Sequence, residues 1–457
     1  MNKNIFREYD IRGIYPSDLN EQSIALIGDA ISQKCFSENV DHLMIGRDGR
    51  LSGETLMQAL AESIINNGIN VTNIGLVTSP LLYFAAKQIN SKSGIMVTGS
   101  HNPKEYNGIK MVVNDKPVSG QEIYQLLGKR VSTSSQGRMI DKVGLVDEYI
   151  NQIKDQNKAN LKKLKIVIDS GNGAAGVIAP KLFNELGCEV IELFSEIDGN
   201  FPNHHPDPGD PKNLTILAKE VLKEKADLGV AFDGDGDRLG VIDDKGNVVL
   251  QDKLLMIFCA EVLQNNPKAK IIYDVKCTNK LGKLVESLHG QPIMSPTGHF
   301  NIKNYLKKTG AKLAGEMSGH IFFNDIWYGF DDAHYSAYRL LKIIAEQDKD
   351  LSEIALKLPS TVSTPEISID VKDEEKFKLI DKFIAQSRFD DASIITLDGI
   401  RFEYPYGWGL IRASNTSPKL VMRFEADNKS KLDEIINKFK LQFNYVFPEY
   451  PKIADLI

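Results

Sequence analysis

Residues able to do chemistry appear first at Thr98–Pro103, where a serine and a histidine follow a short apolar run. Gly94–Val97 is typical of a buried strand. The glycine and the Asn-Pro break after it predict that Ser100 lies on a tight, exposed turn. A serine held there can be a nucleophile or carry a phosphoryl group between turnovers. A serine that only caps the next segment has the same local pattern, so both interpretations stay open here.

Three aspartates stand two residues apart in the hexapeptide Asp233–Arg238, with glycines between them. Carboxylate oxygens at this spacing can surround one hard divalent cation, and such close like charges are unfavourable without one. An EF-hand is excluded because Arg238 stands where that loop needs glycine, and Asp244 where it needs glutamate. The flanking stretches Leu228–Phe232 and Leu239–Ile242 are typical of strands rather than helices. The pattern predicts a metal-binding loop.

Two other enzyme classes remain as alternatives. In an aspartyl-phosphate phosphatase or mutase, Asp233 would take part in phosphoryl transfer, and Asp331–Asp332 could supply a distal acidic pair. In a dehydrogenase domain, Gly171–Gly176 would be the dinucleotide fingerprint that follows a strand. A crossover from strand to helix that is eased by glycine explains those glycines equally well.

A phosphate cradle is predicted at Arg412–Pro418, with Arg423 downstream. A guanidinium, hydroxyls, an amide and backbone N–H groups on one turn can bind a phosphate. A turn rich in Ser, Asn and Thr has this composition without a ligand as well, because those residues favour turns.

A second recognition loop is predicted at Glu316–His320, where a carboxylate, a hydroxyl and an imidazole suit hydrogen bonding to vicinal sugar hydroxyls. Lys276 and His299 fall on comparable turns, where they could contact phosphate or carry protons. Tyr9 and Arg12 near the N-terminus are also explained by packing alone.

The elements that must position these loops follow a repeated pattern. Three stretches each run from a strand into a turn, and they indicate a degenerate α/β repeat: Leu43–Asp48, Ile166–Gly171 and Ile271–Lys276. After Pro359–Thr364 the pattern changes to short strands mixed with two helices. This change predicts a smaller, separate α+β domain.

Length and composition are those of an ordinary globular chain. At 457 residues the chain is too long for one core, and 25% charged with 42% hydrophobic residues excludes a wholly disordered protein. A net charge of −6 without any Lys/Arg-rich run gives no case for nucleic acid, and no apolar stretch is long enough for a membrane span. We expect a cytoplasmic protein whose four scattered cysteines are reduced.

In combination the loops resemble those of the α-D-phosphohexomutase superfamily, specifically its bacterial bifunctional phosphomannomutase/phosphoglucomutase branch. Thr98–Pro103 resembles the family's phosphoserine loop and Asp233–Arg238 its metal loop. Gly315–His320 resembles its sugar-recognition loop and Arg412–Thr416 its phosphate loop. The order and spacing of all four agree over essentially the whole chain.

The resemblance implies an α/β fold with four domains around a central cleft, three related mixed α/β domains and a C-terminal α+β domain. The expected boundaries are residues 1–145, 146–247, 248–359 and 360–457. The resemblance also implies that the protein is an isomerase of carbohydrate metabolism, which makes precursors of nucleotide sugars. Phosphate would move reversibly between the 1- and 6-positions of mannose and glucose phosphates through a phosphoserine and a hexose 1,6-bisphosphate, which also activates the enzyme. We expect a monomer that binds small hexose phosphates, not nucleic acid or membranes.

Residue roles follow from the same resemblance. Mg²⁺ would be bound by the phosphate on Ser100 together with three carboxylates, those of Asp233, Asp235 and Asp237. The catalytic residues would be Ser100, Lys110, His299, Arg12 and Arg238. The substrate-binding residues would be Tyr9, Lys276, His299, Glu316, Met317, Ser318, Gly319, His320, Arg412, Ser414, Asn415, Thr416 and Arg423. A Ser100 side chain that is buried, or remote from the acidic hexapeptide, would argue against this assignment.

Overall fold

A mixed seven-stranded sheet with helices packed against it forms the first unit of the protein. The structure is a computed structural model that describes residues 1–129, 135–156, 161–415 and 417–449. Asn20 and Ser23 form a capping box that fixes where the first long helix begins. The elements are strands β1 (Ile11–Ile14), β2 (His42–Arg47), β3 (Asn70–Leu76), β4 (Gly94–Val97), β5 (Tyr106–Val113), β6 (Lys116–Pro117) and β7 (Met139–Asp141), and helices α1 (Glu21–Ser37), α2 (Gly53–Asn66), α3 (Ser79–Gln88) and α4 (Gly120–Tyr124).

The second and third units each contain a four-stranded sheet. The second consists of α5 (Leu145–Gln156), β8 (Lys165–Asp169), α6 (Ala179–Glu185), β9 (Glu189–Leu193), α7 (Thr215–Glu224), β10 (Leu228–Phe232) and β11 (Leu239–Asp243). The third consists of α8 (Gln251–Asn265), β12 (Lys270–Asp274), α9 (Asn279–Ser287), β13 (Gln291–Ser295), α10 (His299–Thr309), β14 (Leu313–Gly315), β15 (Ile321–Phe323), α11 (Ala333–Gln347) and α12 (Leu351–Leu356).

These three units share one strand order, which confirms the predicted α/β repeat. The orders are β3-β2-β4-β5, β9-β8-β10-β11 and β13-β12-β14-β15. Of these four shared strands, the one that comes first in the chain (β2, β8 or β12) has parallel neighbours on both sides, and the fourth runs antiparallel beside the third. The serine, metal and sugar loops therefore occupy the same position in three copies of one fold: each is the reversal between the third and fourth strands.

The C-terminal unit is α+β, as predicted, with an antiparallel six-stranded sheet covered by two helices. Its elements are β16 (Val362–Ser363), β17 (Ile367–Asp370), α13 (Lys376–Gln386), β18 (Ser393–Ile395), β19 (Ile400–Tyr404), β20 (Gly407–Ala413), β21 (Lys419–Ala426) and α14 (Lys429–Val446). The phosphate loop joins β20 to β21.

The buried apolar residues form clusters, and the largest of these clusters crosses the boundaries between the first three units. One continuous cluster runs from Met44 in the first unit through Ile166 in the second to Ile354 in the third. The C-terminal unit has a cluster of its own, around Phe402 and Phe439. No helix among the described residues is both long and apolar enough to cross a membrane.

Two local predictions are wrong. His299 was expected on a turn, but it is the first residue of α10, because the residues after it continue with helical periodicity. Arg412 was also expected on a turn, but it lies on β20, and only the residues after Ala413 form the loop.

Candidate active site

Ser100 lies in the loop after β4 and is bonded to the metal loop of the second unit. Its φ of 49° is left-handed, and its backbone N–H donates to Thr98 Oγ1 at 2.7 Å. Its hydroxyl donates to Asp233 Oδ2 at 2.9 Å. The serine and the acidic hexapeptide are therefore in direct contact, although 133 residues separate them in the sequence.

The expectation that Ser100 is exposed is wrong, because the residue is only 2% exposed. Gly234 of the metal loop approaches so closely that a Cβ atom there would lie 2.4 Å from the Ser100 carbonyl oxygen. Ser100 nevertheless lines the central cavity of about 270 Å³. A reactant in this cavity can reach the residue, so burial here means exclusion of bulk solvent and not enclosure in an apolar core.

Arg50, which was not among the predicted site residues, fixes the backbone of the serine loop. The side chain is completely buried and forms an ion pair with Asp48, with Nε 3.3 Å from Oδ2. Asp48 also accepts a hydrogen bond from Thr98 Oγ1 at 2.6 Å. The guanidinium donates to four backbone carbonyls, those of Ser100, Asn102, Pro103 and Tyr106, at 2.7–2.8 Å. The Arg-Asp-Gly-Arg run directly after a buried strand is the sequence pattern from which this role could have been predicted.

The metal loop brings three fully buried carboxylates together. Asp233, Asp235 and Asp237 each offer an oxygen, and these oxygens lie within 4.8 Å of one another. Gly236 has a φ of 74° and the loop reverses there, which a side chain would strain. Strands flank the loop on both sides, so rejection of the EF-hand is confirmed.

Positive charge surrounds these carboxylates. Lys110 Nζ lies 2.7 Å from Asp235 Oδ2 and 2.5 Å from Asp237 Oδ2. Burial raises the pKa of Asp233 well above its usual range, and the two neighbouring carboxylates raise it further. Burial acts in the same direction on Asp237, but the charges of Lys110 and His320 outweigh it and hold the pKa of Asp237 well below its usual range.

The acidic loop fits a hard divalent cation. Asp235 Oδ1 is buried and has no hydrogen-bond partner among the described residues. Such an unpaired carboxylate oxygen is unfavourable unless a cation or donor meets it. Three convergent carboxylates and no nitrogen or sulfur donor in the triad favour Mg²⁺ over softer metals.

The sugar loop is bonded to both the metal loop and the turn before α10. His320 bridges two carboxylates, with Nε2 3.2 Å from Asp237 Oδ1 and Nδ1 3.2 Å from Glu316 Oε2. These carboxylates outweigh burial and raise the pKa of His320 to about 9. Ser318 Oγ lies 2.9 Å from His320 Nδ1. Glu316 Oε1 accepts the backbone N–H of Gly298 at 2.5 Å.

Tyr9 joins the first, third and C-terminal units at the cavity. Its hydroxyl donates to the Thr297 carbonyl at 2.8 Å and accepts from the Asn301 amide at 3.2 Å. Asn415 of the phosphate loop also donates to this hydroxyl. The ring lies edge-on to His299, with centroids 6.0 Å apart.

Residues of the predicted phosphate cradle form part of the wall of the same cavity. Arg412 Nε donates to Asp398 Oδ2 at 2.9 Å, which orients the guanidinium. Lys276 pairs with Glu366, Nζ to Oε2 3.1 Å, and both residues line the cavity. Ser414 and Asn415 complete this wall, which is well supplied with donors.

The cavity brings together most of the predicted site residues, but not all of them. Those that line it are Tyr9, Arg12, Ser100, Lys110, Arg238, Lys276, His299, Glu316, Ser318, His320, Arg412, Ser414 and Asn415. Met317 instead packs against the shared apolar cluster. Gly319 is a turn residue with a φ of 98°, and Arg423 donates to the Lys276 carbonyl at 2.5 Å. Thr416 lies outside the described residues.

Two further cavity residues, Asp10 and Asp207, were not predicted from the sequence. Asp10 forms an ion pair with Arg12, and Arg12 also donates to Asn102 of the serine loop. Asp207 lies 3.7 Å from Arg238, Oδ1 to Nη1. The Pro-rich loop that contains Asp207 was visible in the sequence, but nothing local linked it to Arg238.

Gly171–Gly176 has a packing role that explains its glycines without a dinucleotide. A Cβ atom at Gly173 would lie 2.8 Å from the carbonyl oxygen of Gly234. Ala174 donates to the same carbonyl at 3.0 Å. The glycine-rich turn thus lies against the metal loop, and the dehydrogenase alternative is wrong.

A serine hydrogen-bonded to three clustered carboxylates, with guanidinium, hydroxyl and amide donors lining the same cavity, is the arrangement expected of a phosphotransfer enzyme. The chain belongs to the phosphoglucomutase/phosphomannomutase family. The models of its three alpha/beta/alpha domains match residues 3–136, 147–246 and 251–362, and that of its C-terminal domain matches 366–442.

Relatives match over nearly their full length. The chain is 49% identical over 448 residues to the phosphomannomutase/phosphoglucomutase of Pseudomonas syringae, covering 97% of this chain and 96% of the relative. It is 46% identical over 451 residues to that of Pseudomonas aeruginosa, covering 98% and 97%. The crystal structure of a phosphoglucomutase/phosphomannomutase family protein from Burkholderia thailandensis superposes with a TM-score of 0.92, at 43% identity and 98% coverage of both chains.

Proposed function

We propose that this enzyme reversibly moves phosphate between the 1- and 6-positions of mannose and glucose phosphates. One observation carries the proposal: Ser100 Oγ lies 2.9 Å from Asp233 Oδ2 of the predicted metal loop, and Ser100 lines the same cavity as Arg412, Ser414 and Asn415. The names of the 46–49% identical relatives support this pair of sugars.

The reaction uses Ser100 as a phosphate carrier. A hydroxyl of the bound sugar monophosphate attacks the phosphorus of phospho-Ser100, the Ser100 Oγ–P bond breaks, and the hydroxyl proton passes to a base in the cavity. The product is a hexose 1,6-bisphosphate. After it turns over in the cavity, Ser100 Oγ attacks its other phosphate, the sugar oxygen leaves and takes back a proton, and the phosphoserine is restored.

Asp233, Asp235 and Asp237 would hold Mg²⁺ together with the phosphate on Ser100. The cation supplies neutralisation of phosphoryl charge when it is bound. Arg238 and Arg12, which line the cavity near Ser100, would add to that neutralisation. Lys110 and His299 are the two groups proposed for proton transfer.

The other end of the cavity would recognise the sugar and its second phosphate. Arg412, Ser414 and Asn415 would bind the phosphate that does not react, assisted by Lys276 and Tyr9. Glu316 and Ser318 would bind ring hydroxyls in both orientations of the bisphosphate. Arg423 contributes indirectly, because it holds the Lys276 carbonyl.

We further propose that hexose 1,6-bisphosphate activates the enzyme by rephosphorylating Ser100. We also propose that the enzyme is a cytoplasmic monomer and that it acts on small molecules. The net charge of −6 gives no reason to expect a nucleic-acid partner.

Intact-protein mass spectrometry with peptide mapping tests the carrier role. Incubation with glucose 1,6-bisphosphate and Mg²⁺ should add one phosphate, which maps to Ser100 and is lost on incubation with glucose 1-phosphate. The Ser100→Ala variant should take up none. A hydroxylamine-labile phosphate on Asp233, or no protein phosphate while turnover proceeds, would overturn the proposal.

A further inference from the structure

A second cavity lies between the first and third units, beside the catalytic cavity. Its volume is about 190 Å³. A cavity of about 150 Å³ holds benzene, so this one has room for a body of one or two rings. Three of its lining residues, Tyr9, Lys110 and His299, also line the catalytic cavity. The other lining residues have no role in the proposed reaction.

The floor of this second cavity is apolar and aromatic. Its buried residues come from the first unit (Tyr83, Ala86 and Met111) and from the third (Leu306 and Phe330). The ring centroids of Tyr83 and Phe330 lie 5.8 Å apart, and Tyr328 stacks on Phe330 with centroids 5.9 Å apart. Such a surface suits an apolar body, because a molecule covered with hydroxyls would lose hydrogen bonds to water there.

Two of the five lysines in the lining are already neutralised by the protein. Lys110 Nζ contacts two metal-loop carboxylates, at 2.7 and 2.5 Å. Lys303 Nζ lies 2.7 Å from Asp331 Oδ1 and 3.9 Å from the centre of the Tyr83 ring. Because these charges are balanced internally, they do not call for a ligand.

The other three lysines stand around a single carboxylate at the mouth of the cavity. Lys87 Nζ lies 2.5 Å from Asp115 Oδ1, and Lys307 Nζ, 4.0 Å from Asp115 Oδ2, is on a side chain that is 54% exposed. Lys92 is exposed, and its backbone carbonyl accepts the N–H of Asp115 at 3.0 Å. Its ammonium group has no partner within the part of the chain that the structure describes. One aspartate against three lysines leaves an excess of two positive charges.

We propose that this cavity is a binding site for a small amphipathic anion, a molecule with an apolar body of one or two rings and one acidic group. The apolar body lies on the aromatic floor, and the acidic group meets Lys92 and Lys307 at the mouth. Burial of apolar surface supplies the affinity, and the unbalanced lysines favour an anion over a neutral molecule of the same shape. This site goes beyond the proposed function, because its ligand is not a sugar phosphate.

The two cavities differ in what they offer a ligand. The catalytic cavity has the guanidinium groups of Arg12, Arg238 and Arg412 together with carboxylates and hydroxyls, which suits phosphates that carry many hydroxyl groups. The lining of the second cavity, among the described residues, has lysines but no arginine. A sugar bisphosphate and an amphipathic anion should therefore bind at the same time, each in its own cavity.

Isothermal titration calorimetry of the Mg²⁺-saturated wild type tests the site with naphthalene-2-sulfonate as the probe. One equivalent should bind with a Kd of about 0.1–1 mM, as expected for a ligand of this size. Naphthalene-2-sulfonamide keeps the rings without the charge and should bind at least about threefold more weakly. Methanesulfonate keeps the charge without the rings and should bind at least about tenfold more weakly. Equal affinity for the neutral sulfonamide, or no saturable binding of naphthalene-2-sulfonate, would overturn the proposal.

Two variants with the same change of charge locate the probe. Lys92→Glu, at the mouth, should weaken binding of naphthalene-2-sulfonate about three- to thirtyfold, since it removes one attraction and adds a repulsion. Lys219→Glu, at an exposed position on α7 of the second unit, should leave the Kd within about twofold. An unchanged Kd in Lys92→Glu, or an equal loss in both variants, would show that the probe does not bind at this mouth.

Competition with glucose 1,6-bisphosphate distinguishes the two cavities. A saturating concentration of the bisphosphate should leave the Kd of naphthalene-2-sulfonate within about twofold. Displacement of the probe would place it in the catalytic cavity and overturn the second site. Failure of the bisphosphate itself to bind the wild type would instead count against the proposed function, so the two failures are distinguishable.

Discussion

The first three units and the C-terminal unit hold their parts of the cavity by different means. One apolar cluster passes through the first three units, and the metal loop is bonded across a unit boundary by Ser79, whose hydroxyl donates to Asp235 Oδ2 at 2.6 Å. The reacting groups are therefore fixed by close packing, which tolerates little displacement.

The C-terminal unit has its own core and meets the third unit mainly through polar contacts. Arg401 donates to the carbonyls of Val275 and Cys277 at 2.5 and 2.8 Å, and Thr278 donates to Glu425 at 2.5 Å. Among the described residues, the apolar part of this junction is a small cluster of Val275, Trp408 and Leu410. Polar contacts can exchange with water, so relative motion of such a unit is expected. The groups proposed to react thus lie in the packed units, and the proposed phosphate cradle lies in the separable C-terminal unit.

The largest expected effect is at Ser100, the centre of the packed part. Ser100→Ala removes the phosphate carrier, so kcat should fall at least about 10⁴-fold, as for other covalent nucleophiles, and the melting temperature should barely change. A coupled assay with glucose 1-phosphate measures the rate. Ser37→Ala, at the exposed end of α1, is the control. Retention of a tenth of wild-type kcat in Ser100→Ala would contradict a phosphoserine mechanism.

Removal of the cation should have the next largest effect. Chelation with EDTA should abolish turnover and added Mg²⁺ should restore it, whereas Asp237→Asn should keep about 10⁻² to 10⁻³ of kcat at saturating Mg²⁺, because charge stabilisation by a metal contributes several kcal/mol. Excess substrate should not compensate for the variant. If saturating sugar phosphate restored the rate of Asp237→Asn, the metal loop would act in substrate binding. The packed units and the C-terminal unit would then not differ in the way proposed.

The same division predicts a different kinetic change in the C-terminal unit. Arg412→Lys keeps the charge but loses the planar fork held by Asp398. KM should rise about 10–150-fold, since a hydrogen bond to a charged group contributes about 1.5–3 kcal/mol, while kcat stays within about threefold. Arg388→Lys, in the same unit but remote from the cavity, is the matched control. A fall in kcat without a change in KM would place Arg412 among the reacting groups instead.

The parts of the site that could be predicted from sequence are those whose functional residues lie close together in the chain. Ser100 stands after a buried run, and the three aspartates stand two residues apart. The α/β repeat was also predictable, because the apolar runs of the strands and the turns after them recur in each unit. These patterns, read together as a family resemblance, were enough for the fold class and the family.

What could not be predicted depends on contacts between distant segments. Burial of Ser100 arises from the approach of Gly234, and the importance of Arg50 arises from four carbonyls about 50 residues away. Asp331 and Asp332 are indistinguishable in sequence. Only packing makes Asp332 the N-cap of α11, where it accepts the backbone N–H of Tyr335, and pairs Asp331 with Lys303.

The smallest expected effect tests the packing behind the metal loop. His334 is fully buried, and neither ring nitrogen has a hydrogen-bond partner among the described residues. Its ring lies 4.7 Å from that of Phe232. Burial lowers the pKa of His334 from 6.5 to about 3. The unfolded chain therefore takes up a proton before the folded one does, so this residue's stabilisation is fully present above pH 6.5 and is lost progressively as the pH falls toward about 3.

Between pH 7 and pH 6, titration of His334 should lower the free energy of unfolding by about 0.7 kcal/mol. The variant His334→Leu, which fills a similar volume and has no group to titrate, should lose that part of the pH dependence. Urea unfolding of the Mg²⁺-saturated protein at the two pH values measures the difference, and His205→Gln at an exposed site should leave the slope unchanged. An identical slope in His334→Leu would mean that water reaches this histidine in the folded state. The region behind the metal loop would then be no more tightly packed than the junction with the C-terminal unit.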